Sequence, residues 1–220
     1  MAGDEGDGRK PNPADDTPAG MSRRRFLKGV GVVGAGAAMA DPALLGAQEK
    51  SAAAQPAAAI ASPDGKLALS LDINGQARPL SAEPRVTLLG ALRDHLEPAV
   101  TGPKLVCGAG TCGACTVLLD GKPVYSCLVL AADAVGKKIT TAEGLGTPDQ
   151  MNPVQAAFCD SDALMCGFCT PGFVTALSAT VQKTPNATID QVKQGCAGNF
   201  CRCGTYPNVF AAAVAAAAKA

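Results

Sequence analysis

The chain has 220 residues, with 19 basic and 19 acidic side chains and a formal net charge of zero, so it lacks the electrostatic footprint of a nucleic-acid binder. Aromatic residues make up 4% and tryptophan is absent, which leaves little material for a base-stacking surface. There is one histidine, too few for a Rieske centre or a His-based catalytic pair, and the length fits one or two small domains.

Residues 1–20 are polar and rich in Pro, Gly and Asp, a composition that predicts disorder. Ser22-Arg23-Arg24-Arg25-Phe26-Leu27-Lys28 follows, then a weakly apolar Gly/Ala/Val run to Ala38. Ala38-Met39-Ala40 fits a small-x-small cleavage site. Residues 1–40 therefore resemble a twin-arginine export signal. The apolar run is short and Gly-rich for a membrane span, so an anchor would take the form of an uncleaved signal. Residues 41–65, rich in Ala, Pro, Ser and Gln, read as a flexible linker. This route exports folded protein, so the expected location is the periplasm, with the membrane met only transiently.

From residue 66 the pattern becomes that of a folded domain. Leu67, Leu69, Leu71 and Ile73 alternate with polar or small residues, as in a half-buried strand. Asn74-Gly75 is a type I′ hairpin signal, with 76–80 as the return strand. A helix is expected over 87–96, capped by Thr87 and carrying His95 on its surface. Next come a Gly-rich loop, a hairpin (strand 116–119, turn Asp120-Gly121, return 124–128) and a short strand at 138–141. This ββαββ order predicts a β-grasp domain over 66–145. From 146 to 220 the pattern is helical, with segments expected at 153–163, 171–182, 189–195 and 208–219. Pro171 and Pro207 suit helix starts, and Asn208 is a candidate cap for the last helix. The fold class is α+β, a β-grasp ferredoxin-like domain followed by an all-α four-helix domain.

Eight of the ten cysteines form two sets. Cys107, Cys112, Cys115 and Cys127 read C-x4-C-x2-C with a fourth Cys after a hairpin, the plant-type [2Fe–2S] ligand pattern. Cys166 and Cys169, then Cys201 and Cys203, read C-x2-C and C-x-C. Each set offers the four thiolates of one [2Fe–2S] centre, so two centres are expected. A Gly-rich loop brings backbone N–H groups close to an anionic cluster and tunes it. Both later pairs precede helix starts, whose dipoles favour negative charge. Two helical hairpins, each offering two thiolates, would meet about a pseudo-dyad with the cluster at one end. Zinc is the alternative for C-x2-C pairs, and exported chains also use disulfides. Cys159 and Cys196 fit neither set and read as buried small hydrophobes; a bridge between them is open from sequence.

Cys166-Gly167-Phe168-Cys169-Thr170-Pro171-Gly172-Phe173, then Asn199-Phe200-Cys201-Arg202-Cys203-Gly204-Thr205-Tyr206, resemble the two-cluster iron–sulfur subunit of the xanthine oxidase family of molybdenum hydroxylases. The Gly-rich loop and the segment Asn152-Pro153-Val154-Gln155-Ala156-Ala157-Phe158 match the same pattern, and the resemblance spans about residues 66–215. It implies one cluster on Cys107, Cys112, Cys115 and Cys127. It implies a second on Cys166, Cys169, Cys201 and Cys203, nearer the molybdenum, with Cys203 also approaching the pterin. The family commonly has Gln before C-G-[FY]-C; this chain has Met165, which lacks an amide's donors and acceptors.

The resemblance further implies a molybdenum-cofactor-binding large subunit that carries the catalytic site, oxidising aldehydes or N-heterocycles with oxygen from water. Electrons would leave through the helical-domain cluster, then the other, to an FAD subunit or a c-type cytochrome. Nothing in the chain itself reads as flavin, nicotinamide or substrate machinery, and it holds no general-base constellation. A free-standing periplasmic carrier is the alternative, and a zinc-stabilised interaction module a third.

Overall fold

The computed structural model describes residues 64–219, all within one compact unit. The expected signal (1–40) and nearly all of the expected linker lie outside the described residues.

Alternation in the sequence sets the first sheet. In β1 (Leu67–Ile73), Leu69, Leu71 and Ile73 are buried while their neighbours are not. β1 pairs antiparallel with β2 (Gln76–Ala82) across Asn74-Gly75, whose φ values of 54° and 78° are those of a type I′ turn. β3 (Thr116–Leu119) and β4 (Lys122–Tyr125) repeat the device at Asp120-Gly121, with φ of 50° and 77°. β5 (Lys138–Thr140) inserts between the hairpins, parallel to β1 and antiparallel to β3, giving the mixed order β2-β1-β5-β3-β4. The sheet holds α1 (Leu88–Asp94) through Leu88, Ala91 and Leu92, which meet Leu71, Val117 and Ile139 in one core. Thr87 caps α1 by accepting from the Gly90 N–H at 3.2 Å, and His95 is the exposed C-cap.

Four helices follow: α2 (Pro153–Asp160), α3 (Thr170–Lys183), α4 (Ile189–Gly195) and α5 (Tyr206–Ala217). Capping boxes open α2 (Asn152 with Gln155) and α4 (Thr188 with Gln191). Phe158, Phe173, Leu177, Val192 and Val209 fill their shared core. Ala212, Ala213, Ala216 and Ala217 are buried there too, so α5 meets α2 over small side chains. α3 packs on β3, which joins the helices to the sheet.

Three expectations are corrected. The return strand ends at Tyr125, and Cys127 sits on a 3₁₀ turn (Ser126–Leu128). The cause is Ser126, whose N–H and hydroxyl both donate to the Cys115 carbonyl, at 3.3 and 2.7 Å, and curl the chain. Asn208 does not cap α5. That helix starts at Tyr206 with Thr205 as N-cap, and the Asn208 amide donates to Asp162 O at 3.2 Å. Cys159 is exposed rather than buried, near the end of α2 with its Sγ 3.9 Å from Met151 Sδ. Cys196 is buried as expected, and its thiol donates to Val192 O at 3.2 Å.

Candidate metal centres

The first four thiols are placed by a loop and a turn. Gly108, Gly110 and Gly113 take φ of 63°, 70° and 68°, a conformation closed to most side chains, and so wrap residues 107–115 into a cradle. A Cβ on Gly113 would come within 2.6 Å of both Asn199 Nδ2 and Gly198 O, so glycine is required there by space as well. Cys115 and Cys127 are buried with Leu89 under the loop, their sulfurs 3.4 Å apart. Cys107 is exposed and its sulfur accepts from the Ala109 N–H at 3.4 Å. The Cys107 thiol also interacts with that of Cys112.

The second four thiols lie at the N-terminal ends of α3 and α5. Cys169 is the N-cap of α3; Cys201 and Cys203 lead into α5. The Cys169 thiol interacts with that of Cys201, and the Cys166 thiol with that of Cys203. Tyr206 braces this turn. Its hydroxyl accepts from the Cys201 N–H at 2.8 Å, and its ring packs edge-on against Phe173. Around the thiols Met165, Phe168 and Phe200 are half or more exposed.

In the first set Cys107 interacts with Cys112, and Cys115 meets Cys127; in the second, Cys169 and Cys203 each interact with both Cys166 and Cys201. Among the described residues no three His, Cys, Asp or Glu side chains converge on a single ion position. Four neighbouring thiols are what a [2Fe–2S] rhomb requires, since each of its two irons takes two thiolates. Soft sulfur donors, inward-facing glycine loops and helix N-termini all suit such a group.

The thiols differ in acidity for identifiable reasons. Hydrogen bonds from Ala109 and then Thr111 lower Cys107 to about 6. Burial raises Cys115 to about 11, and burial with the neighbouring Cys201 thiol raises Cys169 to about 12. Burial also pushes Cys201 upward, but bonds from the Thr205 hydroxyl and N–H bring it down to about 7. Cys203 gains a favourable bond from the Cys166 backbone, yet sharing a proton with the Cys166 thiol and burial leave it raised overall. Metal binding displaces these protons, so loading releases them mainly from the raised thiols.

Sequence reasoning missed the groups that hold the two sets together. Asn199 is buried; its amide donates to Gly113 O at 3.0 Å and to Thr116 Oγ1 at 3.4 Å. The Phe200 N–H donates to Cys112 O at 2.9 Å. Tyr125 reaches over Gly198, where any Cβ would strike its hydroxyl. The available signal was the polar Asn199 set immediately before an apolar residue and C-x-C.

The chain matches the model of a [2Fe-2S] binding domain over residues 141–214 and that of a 2Fe-2S iron-sulfur cluster binding domain over 71–142. Residues 20–40 match the twin-arginine translocation pathway signal sequence. The aldehyde oxidoreductase iron-sulfur-binding subunit PaoA of Escherichia coli O157:H7 is 37% identical over 207 residues, covering 87% of this chain and 86% of that protein. Among solved structures, quinoline 2-oxidoreductase from Pseudomonas putida 86 superposes with a TM-score of 0.66 at 39% identity, over 70% of this chain and 94% of that one. The aldehyde oxidoreductase of Desulfovibrio desulfuricans ATCC 27774 gives 0.64 at 38% identity, over 69% of this chain but only 17% of its own length.

Proposed function

We propose a function from one premise: this chain belongs to the two-[2Fe–2S] iron–sulfur subunits of the xanthine oxidase family of molybdenum hydroxylases. It is the electron-transfer subunit of a periplasmic enzyme that oxidises aldehydes or N-heterocycles on a separate molybdenum-cofactor-binding subunit. Cys107, Cys112, Cys115 and Cys127 ligate one centre; Cys166, Cys169, Cys201 and Cys203 ligate the other. The observation that carries this reading is that the thiols of each set interact with one another, within residues matched by two cluster-binding families.

When bound, each centre takes up and releases one electron at a time. The chain's own residues hold and insulate it. Glycines 108, 110 and 113 fold the loop around it, Ser126 fixes Cys127 against Cys115, and Tyr206 fixes Cys201. Cys203 faces the pterin of the partner subunit. Its neighbour Gly204 supports this, since nothing lies within 4 Å of where its Cβ would be. The exposed Met165, Phe168 and Phe200 favour a partner face over a free-standing carrier, because a soluble carrier gains nothing from apolar groups around its redox site. The acceptor is an FAD subunit or a c-type cytochrome. The signal at 20–40 supports export of the folded, loaded chain.

The test is purification of the tagged chain from its native host, with metal and cofactor analysis. The reading requires a larger subunit carrying stoichiometric molybdenum and dye-linked oxidation of an aldehyde or N-heterocycle. A chain that is isolated alone, fully loaded and redox-active, would instead be a free carrier.

A further inference from the structure

Resting on the reading that both cysteine sets hold centres, we infer that Asn199 is the positioning residue that sets electron transfer between them. Consecutive donors on one loop meet consecutive acceptors on the other. The Asn199 side chain donates to Gly113 O at 3.0 Å, and the Phe200 N–H donates to Cys112 O at 2.9 Å. Cys112 belongs to the first set, and Phe200 immediately precedes Cys201 of the second. The hydrogen bond from Phe200 thus connects a ligand residue of one set to the neighbour of a ligand residue of the other.

The carboxamide is built in rather than incidental. Asn199 is the one buried amide side chain among the described residues. Its amide nitrogen sits where a Cβ on Gly113 would come within 2.6 Å and one on Gly172 within 3.2 Å. Thr116, next to Cys115, completes the clasp. Its hydroxyl donates to Gly113 O at 2.6 Å and accepts from Asn199 at 3.4 Å. Asn199 N in turn donates to Cys196 O at 2.9 Å, so the residue is held from behind as well. Losing this donor leaves the Gly113 carbonyl only its local Thr116 partners, the hydroxyl at 2.6 Å and the N–H at 3.1 Å, and removes the bond that reaches across from the second loop, which loosens the join. The transfer it governs is one electron from the Cys166/169/201/203 centre, which is oxidised, to the Cys107/112/115/127 centre, which is reduced. No bond breaks and no proton moves.

The test uses the full, iron-loaded chain with Asn199→Asp, which keeps the shape and removes the donor, and Thr116→Val, which weakens the clasp from the other side. Three quantities are read: the EPR signals of the two centres, the magnetic splitting between them when both are reduced, and hydrogen exchange at the Phe200 amide. The inter-centre rate is followed after a reducing pulse. Expected are two retained EPR signals, faster exchange at Phe200, weaker splitting and slower transfer, with Asn199→Asp affected more than Thr116→Val. Two retained signals with wild-type splitting and rate in both variants would overturn the inference alone. Loss of either signal in both variants would also overturn it, by making the clasp a support of assembly only. A wild-type chain with no pair of centres would instead defeat the reading beneath.

Discussion

Gly113→Ala tests how tightly the two cysteine loops are packed. Two penalties apply. The backbone at φ 68° is left-handed, which costs an L-residue about 1–2 kcal/mol. The new methyl would also lie 2.6 Å from Asn199 Nδ2 and Gly198 O, and overfilling a packed site costs about 1–3 kcal/mol more. Together they predict a loss of about 2–5 kcal/mol, a large share of a typical stability of about 5–15 kcal/mol. Gly121→Ala is the control. It has φ 77° but nothing within 4 Å of its Cβ position, so only the backbone penalty of about 1–2 kcal/mol remains. Urea unfolding of both loaded variants beside wild type gives the comparison. With m of about 1–3 kcal/mol/M, the Gly113 variant should have a midpoint roughly 1 M below the Gly121 variant, at unchanged m. Equal midpoints would refute the reasoning, because the 198–199 segment would then be free to step aside.

Cys166→Ser should abolish one EPR signal and keep the other, since serine is a poor soft ligand and Cys166 lies outside the Gly-rich loop; loss of both would show that the sets assemble together. Cys196 is buried and raised from 9.0 to about 11 by burial. Its contribution to stability is therefore fully present below pH 9.0 and is lost as pH rises through about 11. Cys196→Ala should flatten that alkaline slope by at most about 3 kcal/mol, read by unfolding at a series of pH values. Asn152→Ala removes a cap and a bond to Ser178 Oγ at 3.0 Å, so its Tm should fall further than that of Thr188→Ala, whose cap alone is worth about 1 kcal/mol. Arg23→Lys with Arg24→Lys should leave the chain in the cytoplasm with its iron intact, checked by fractionation and iron assay; the double variant outside the cytoplasm would refute the export reading.

Local chemistry made much of this legible in the sequence. Asn74-Gly75 and Asp120-Gly121 announce type I′ turns because few other pairs tolerate two positive φ values. Thr87 announces a helix start because its side-chain oxygen satisfies an orphan N–H three residues on. Spacing grouped the eight cysteines because two short motifs carry most of each set. What stayed hidden depends on contacts distant in the chain. Asn199 reaches across 86 residues to Gly113, and no periodicity reports such a bond. Ser126 turned Cys127 out of the strand by bonding Cys115, 11 residues back. Tyr206, drawn to Phe173 and to the Cys201 N–H, moved the start of α5 ahead of Asn208. Cys159 is apolar in character but falls in the last turn of a helix shorter than its pattern suggested.

The central claim is that two four-cysteine sets each hold one binuclear iron–sulfur centre. Iron and zinc quantitation on the purified chain, paired with EPR of its reduced form, tests this most directly. About four irons per chain and two distinct [2Fe–2S] signals are predicted. Stoichiometric zinc, or iron near half that value with a single signal after reconstitution, would contradict it.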